Sequence, residues 1–146
     1  MRRVLGCGLT ALACLLLLSA CTKPAPKVTV QTGAFSTTIT PSSYCFDAAH
    51  CHRYALQLPE VTAKPDATVL IDVPRAVVHN GWRVTALAVP DLAKVGSPAT
   101  VQDSHSFRVA ASTNNGNPFI VQVAQLRHGT PDGSRWSFVV KVSDST

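Results

Sequence analysis

Two cysteines and two histidines lie close together in the chain, at Cys45, His50, Cys51 and His52. Thiolate and imidazole groups bind zinc and copper well, so these four side chains could hold a metal ion. The two cysteines could instead form a disulfide that closes a short loop. The choice depends on whether the chain enters an oxidising compartment, where paired cysteines become disulfides.

The start of the chain bears on that question. Arg2 and Arg3 precede an apolar run at Val4–Leu18, and the small residues Ser19-Ala20 follow it. This order is typical of a secretory signal peptide, and the run is too short for a comfortable membrane span. We therefore predict export with removal of residues 1–20.

The segment Leu18-Ser19-Ala20-Cys21 resembles the lipobox of bacterial lipoprotein signal peptides, whose cysteine becomes the lipidated first residue of the mature chain. The resemblance implies a lipid on Cys21 and a protein held at the extracytoplasmic face of a membrane. Residues 21–27 are polar and proline-spaced, which predicts a flexible tether. Residues 28–146 are long enough for one domain.

Export also favours one pairing of the cysteines. Two of the five leave with the signal peptide and Cys21 takes the lipid, so Cys45 and Cys51 remain. A metal site would need both thiolates reduced outside the cell, and on a strand His50 and His52 would point away from Cys51. The sequence predicts a Cys45–Cys51 disulfide, with a metal site on these four residues as the alternative.

The mature chain is only mildly basic. Without the two arginines of the leader, 11 basic residues stand against 8 acidic ones, and the arginines are scattered along the chain. A nucleic-acid footprint requires a concentrated basic stripe, so we expect no nucleic-acid partner.

The chain carries no recognisable catalytic or cofactor motif. Asp103-Ser104-His105 places the three residue types of a hydrolase triad side by side, but neighbours on a strand point to opposite faces. A Gly-x-Ser-x-Gly elbow and a phosphate-binding glycine loop are both lacking. We expect a non-enzymatic protein without a cofactor, with an envelope hydrolase as the alternative.

Alternating apolar and polar residues predict a series of short strands. They are residues 28–31, 35–40, 53–58, 68–73, 105–112, 119–126 and 135–142, with a hairpin at 77–84. Asn80-Gly81 suits the turn of that hairpin and would set Trp82 across from His79. Residues 90–104 and the segment around Pro131-Asp132-Gly133 are predicted loops. About eight short strands predict an all-β, antiparallel, immunoglobulin-like sandwich, with a small β-barrel as the alternative.

Residues in or beside turns are the candidates for binding. They are Asn114, Asn115, Asn117, Trp82 and Tyr44. Loops on a rigid scaffold commonly carry binding, which directs attention to residues 113–118 and 128–134. Large aromatic residues of a small sandwich pack in the core more often than they bind ligands, and Trp136 lies on the apolar face of its predicted strand.

Several short segments, in this order, resemble a family of small actinobacterial lipoproteins that carry a domain of unknown function. They are the tether, a first strand at 27–32, Thr40-Pro41-Ser42-Ser43-Tyr44-Cys45, and Val73-Pro74 ahead of Trp82. The resemblance implies an envelope location and supplies no catalytic residues. We expect a membrane-anchored binding or envelope-associated module whose partner is an envelope protein, peptidoglycan or a lipid. A hydrolase and a metal-binding protein are the alternatives.

Overall fold

Two β-sheets stack face to face in the computed structural model, which describes residues 23–54 and 57–143. The all-β sandwich that the sequence predicted is confirmed. The predicted signal peptide at 1–20 and the predicted lipidation site at Cys21 lie outside the described residues. Within the described ranges, no helix has the length and apolar character needed to cross a membrane.

Eleven strands make up most of the described chain. In chain order they are β1 (Val28–Thr32), β2 (Phe35–Ile39), β3 (Ser43–Cys45), β4 (Cys51–Arg53), β5 (Glu60–Ala63), β6 (Thr68–Asp72), β7 (Trp82–Ala88), β8 (Ala99–Val101), β9 (Ser106–Ala110), β10 (Phe119–Arg127) and β11 (Thr130–Val142). A short α-helix, α1, covers Arg75–Val78, and a 3-10 helix covers Ala111–Asn114. The number exceeds the predicted eight partly because β3, β4 and β8 have three residues each, too few to show an alternation.

The smaller sheet has the strand order β2-β1-β6-β9. β1 and β2, which match the strands predicted at 28–31 and 35–40, form a hairpin around Gly33-Ala34, and β1 also pairs with β6 in antiparallel orientation. Side chains of a strand alternate between its two faces, so Val28 and Val30 are buried toward the larger sheet while Thr29 is half-buried.

The larger sheet has the order β4-β3-β11-β10-β7-β8. Along β11 the buried residues Trp136, Phe138 and Val140 alternate as the sequence predicted. β10 takes one side of β11, and the other side is shared by two strands. β3 pairs next to Arg135, and β5 pairs in parallel orientation with Val139–Val142.

One core cluster fills the space between the sheets, and its largest residues are Trp82, Trp136, Phe119 and Phe138. Burying a large apolar side chain fully stabilises a fold by about 1.5–3 kcal/mol. Trp82, one of the binding candidates, packs in the core as large aromatic residues of a small sandwich usually do: it is 0% exposed, and its indole Nε1 donates to the Ser104 carbonyl oxygen at 2.9 Å.

The hairpin predicted around Gly81 is also wrong. Helix α1 replaces its first strand, because two backbone N–H groups that follow Pro74 donate to the Pro74 carbonyl oxygen and close a helical turn. Gly81, at φ +78°, then leads into β7. Trp82 pairs with Gln125 of β10 rather than with His79. A short valine pair cannot by itself distinguish a strand from a helical turn.

Three further boundaries differ from the prediction. The strand predicted at 53–58 overlaps β4 only at Arg53, residues 54, 57 and 58 belong to no strand, and residues 55–56 lie outside the described ranges. The loop predicted at 90–104 contains β8. β11 begins before Pro131-Asp132-Gly133, so that segment belongs to a strand and not to a loop.

The strand registers give the sandwich two distinct ends. At one end the Trp136 Nε1 donates to the Pro26 carbonyl oxygen at 2.9 Å, which fixes the proline-spaced segment to the domain. We call this the tether end, and it also carries the β3–β4 hairpin, α1 and the turn at His128-Gly129. The opposite end, the groove end, carries the Gly33-Ala34 turn, the start of β6 and the 3-10 helix.

Candidate functional site

A groove of about 770 Å³ opens at the groove end, between β2 of the smaller sheet and β5 of the larger one. Its lining residues are mostly small, apolar or hydroxyl-bearing, and they are Val30, Thr32, Gly33, Ala34, Phe35, Ser36, Thr37, Glu60, Val61, Thr62, Ala63, Lys64, Ala67 and Ser143. Sequence reasoning missed this site because β5 was not predicted.

Phe35 is the most exposed large apolar residue in the described part of the chain, at 73%. It directly follows the two-residue turn of the β1–β2 hairpin and pairs with Thr32. Gly33 adopts φ +55° in that turn, a conformation that glycine tolerates well. An exposed aromatic ring beside an apolar groove is characteristic of an interaction site.

The backbone edges that border the groove are available for pairing. Among the described strands, β2 and β5 each have one neighbour in the sheets. The N–H groups of Val139 in β11 and of Ser143 just after it donate to the carbonyl oxygens of Pro59 and Ala63, so the backbone groups of Thr62 point away from β11. The Thr62 carbonyl oxygen accepts from Thr32 Oγ1 at 3.1 Å, which confirms that direction. An unpaired edge is a template for another extended strand.

Few charged groups line the groove. Glu60 pairs with Lys141, whose Nζ lies 2.7 Å from the Glu60 carboxylate, and Lys64 is exposed at the other side. The lining contains no histidine or cysteine, and its one carboxylate is engaged by a lysine. A groove of this chemistry can bind a ligand but offers no nucleophile with a neighbouring base.

The cysteine segment forms a hairpin at the tether end. Cys45 of β3 pairs with Cys51 of β4, and the two are joined in a disulfide, the pairing that the cysteine count predicted. Cys45 is buried and Cys51 is exposed. A Cβ atom on Gly133 would lie 2.8 Å from Cys45 Sγ, so only glycine fits beneath the bridge. The Cys45 N–H donates to Ser134 Oγ at 3.0 Å.

The metal alternative for this segment does not fit the structure. The disulfide uses both thiols, so Cys45 and Cys51 cannot ligate. His50 Nδ1 lies 2.8 Å from the Asp47 carboxylate, and the His52 ring packs on the Tyr54 ring with centroids 4.8 Å apart. In the described ranges no three His, Cys, Asp or Glu side chains come close enough to hold a metal ion.

The hairpin carries aromatic rings on one face. Tyr44 lies opposite His52 in the register, and its ring contacts Phe46 with centroids 4.9 Å apart. Tyr44 also reaches the buried Trp136 at 6.1 Å. The rings of Tyr44, Phe46, His52 and Tyr54 are here called the aromatic face. It runs from the core to the surface, where Phe46 is 47% exposed.

The hydroxyl of Tyr44 has a raised pKa. Burial raises its pKa above the ordinary value, and Asp132 and Tyr54 raise it further because a phenolate would be repelled by their charge. The Asp132 side chain is 4% exposed. Its Oδ1 accepts the Ser134 N–H at 2.8 Å, while its buried Oδ2 lies 4.0 Å from the nearest Arg127 nitrogen without a hydrogen bond. No sequence signal marked Asp132, which resembled an ordinary turn residue.

The predicted binding residues do not converge. Asn114, Asn115 and Asn117 lie at the groove end, where Asn114 Nδ2 donates to the Pro118 carbonyl oxygen at 3.1 Å. The Asn117 N–H donates to the Asn114 carbonyl oxygen, so this loop closes on itself. Tyr44 lies at the opposite end, and the predicted loop at 128–134 is mostly strand β11.

Asp103-Ser104-His105 does not assemble a triad in the structure. Ser104 Oγ donates to the Ser106 carbonyl oxygen at 3.0 Å, and His105 Nδ1 lies 3.1 Å from the Val73 carbonyl oxygen. Because both side chains bond to backbone, the histidine is not placed to take a proton from the serine.

Comparison with known proteins gives a family without an assigned activity. A search of curated proteins found no match, and a search of solved structures found none either. The family model described as "Protein of unknown function (DUF2771)" matches residues 22–124, which include the β1–β2 hairpin, β5 and the disulfide hairpin. This chain belongs to that family.

Proposed function

We propose that this protein is a lipid-anchored extracytoplasmic protein that binds an extended segment of an envelope protein and catalyses no reaction. The observation that carries the proposal is the groove bordered by the unpaired edges of β2 and β5, beside the 73% exposed Phe35.

A polypeptide fits this groove better than peptidoglycan or a lipid. The Thr62 N–H points away from β11 and can donate to the backbone of an added strand, which is how sheet edges recognise extended peptides. Phe35 and the small residues of the lining provide apolar contacts for alternate side chains of that strand. A sugar chain would instead need several polar side chains, and the lining has few.

The anchoring part of the proposal is supported by the leader, the lipobox-like Leu18-Ser19-Ala20-Cys21 and the proline-spaced segment after it. The Cys45–Cys51 disulfide fits an exported protein. The mass of the N-terminal peptide tests this part. We expect a thioether-linked diacylglycerol on Cys21, and Cys21→Ser should release the protein from membranes. An unmodified thiol at Cys21 in the membrane fraction would refute it.

Binding is tested by replacing Phe35 with p-benzoylphenylalanine in the full chain and irradiating intact cells. We expect one discrete protein adduct. Thr62→Pro removes the outward N–H without removing a bond to β11, and it should lower the adduct yield about tenfold. Thr62→Val keeps the N–H and is the matched control, with an unchanged yield.

Two results would refute the peptide-binding proposal. One is the absence of any protein adduct from folded protein in the membrane fraction. The other is an adduct that persists equally in Thr62→Pro and Thr62→Val, since the backbone edge would then play no part.

A further inference from the structure

The tether end collects residue types that the groove end lacks. All five histidines lie there: His50 and His52 on the β3–β4 hairpin, His79 after α1, His105 before β9 and His128 in the β10–β11 turn. The aromatic face lies at the same end. None of these residues borders the groove.

The outer part of the aromatic face is exposed. Tyr44 packs against the core, but Phe46, two residues further along, is 47% exposed and touches the Tyr44 ring edge-on. His52 is exposed and Tyr54 half-buried in the second ring pair. Aromatic rings with polar tips favour the boundary between water and lipid, where one end is apolar and the other wet.

Exposed cationic groups lie at the same end of the sandwich as this face. Lys23 and Lys27 flank the clamped Pro26, and Arg53 and Arg75 are exposed at the same end. Four carboxylates lie at this end: Asp47 bonds to His50, Asp132 is buried near Arg127, and Asp72 accepts from Gln31 Nε2 at 3.2 Å. The fourth, Asp103, borders an open pocket of about 270 Å³ whose other charged or titratable residues are Arg75, His79 and His105. The balance favours an anionic surface, and basic residues are attracted to anionic lipid headgroups.

The chain before the described residues limits how far this end can lie from a membrane. Pro26 is fixed to Trp136 by a hydrogen bond of 2.9 Å, and Cys21 precedes Pro26 by five residues. Even fully extended, five residues span about 17 Å. A lipid on Cys21 therefore keeps the tether end near the bilayer, and this step rests on the anchoring proposed above.

We propose that the aromatic face and the exposed cations at the same end form a docking surface for the anionic phospholipid headgroups of the membrane that holds the anchor. Phe46 is the residue at the lipid boundary. Docking in this way turns the opposite end of the sandwich, with its groove, away from the membrane.

The test uses the full lipidated protein reconstituted into vesicles of phosphatidylcholine containing roughly one-third phosphatidylglycerol, an anionic content that attracts basic segments. Two matched proteins carry p-benzoylphenylalanine, one in place of Phe46 and one in place of Phe35. After irradiation, mass spectrometry measures phospholipid adducts. We expect at least about fivefold more phospholipid adduct at position 46 than at position 35. In vesicles of phosphatidylcholine alone, the adduct yield at position 46 should fall to about half or below.

Flotation of the same vesicles separates the two proposals. Protein that floats but gives equal adducts at positions 46 and 35 would overturn the docking surface and leave the anchor intact. Floating protein whose position 46 crosslinks to a second copy instead of lipid would also overturn it. Protein that does not float would overturn the anchor, and the docking surface with it.

Discussion

The two ends of the sandwich are built on different chemistry. At the tether end, side chains make the connections: a disulfide, the Ser134 hydroxyl that holds the Cys45 N–H, and the indole that holds Pro26. At the groove end a hydrogen bond from the Thr32 side chain to the Thr62 carbonyl oxygen joins the two sheets, and among the described strands β2 and β5 are edge strands. One core thus supports an end that is locked by side chains and an end whose backbone can accept a strand.

The comparison teaches where each kind of recognition can occur. A locked end presents a fixed pattern of rings and charges, which suits a surface such as a membrane. An open edge offers hydrogen bonds that any extended chain can make, with selectivity left to Phe35 and its neighbours. Each of the following changes affects one end of the sandwich.

The largest expected difference between the two ends is the loss of stability when a glycine is replaced by alanine. Gly133, at φ +101°, lies under the disulfide, and an added Cβ would meet Cys45 Sγ at 2.8 Å. Gly133→Ala should lower the free energy of unfolding by about 3 kcal/mol. Gly33 has φ +55° and no atom within 4 Å of the added Cβ, so Gly33→Ala should cost about 1 kcal/mol. Urea denaturation measures both, and equal losses would contradict this account of the tether end.

Removing the disulfide should have the next largest effect. Cys45→Ser with Cys51→Ser opens a loop between residues six apart in sequence, which should lower the free energy of unfolding by about 2 kcal/mol. Hydrogen exchange should accelerate in β3 and β4 and stay unchanged in β1 and β2. Faster exchange across the whole domain would show that the bridge stabilises both ends.

At the groove end, Thr32→Val removes the hydroxyl that bonds to Thr62. Thr32 is 6% exposed, and without its hydroxyl the Thr62 carbonyl oxygen has one hydrogen-bond partner fewer. We expect the free energy of unfolding to fall by about 1 kcal/mol. Thr29→Val, on the same strand, is the control, because no hydrogen bond of the Thr29 side chain is lost. Thermal unfolding measures both, and equal stability of the two variants would remove Thr32 from the account.

The smallest expected effect is a loss of stability of the β3–β4 hairpin at low pH. The His50 side chain hydrogen-bonds to Asp47 and holds the pKa of that carboxyl below its ordinary value. A lowered pKa in the folded protein means that this pair stabilises the hairpin above the ordinary carboxyl pKa, and that the stabilisation disappears as pH falls through the lowered one.

Carboxyl-carbon NMR titration measures the Asp47 pKa directly. His50→Ala should raise the Asp47 pKa toward the ordinary value. His52→Ala should leave the Asp47 pKa unchanged, because the His52 ring packs on Tyr54. Equal shifts in the two variants would rule out the specific contact.

The sequence predicted the parts of the fold that depend on local pattern. Alternation along β10 and β11 is long enough to read, and the Gly33-Ala34 turn separates two clear strands. The disulfide followed from counting cysteines and not from geometry. The groove could not be foreseen, because it requires β5 to pair in parallel with a strand far along the chain, and a four-residue strand gives little periodicity.

The errors have equally local causes. Asn80-Gly81 is a strong hairpin signal, but Pro74 begins a helix before it and the burial of Val77 fixes that helix on the core. The predicted position of Trp82 across from His79 is wrong because β7 runs in the interior of its sheet, where Trp82 pairs with Gln125 of β10. Tertiary contacts therefore determine both the helical turn before Gly81 and the pairing of Trp82.

The hydrogen bond from Trp136 to Pro26 has a further consequence for affinity. By fixing the chain at Pro26, it leaves five residues back to Cys21 as the free connection. Under the proposed anchoring, so short a link confines the aromatic face to a small volume at the membrane, with an effective concentration on the order of 10–100 mM. Contacts with only millimolar affinity would then stay largely occupied, so the surface would set the orientation of the domain without having to hold it there.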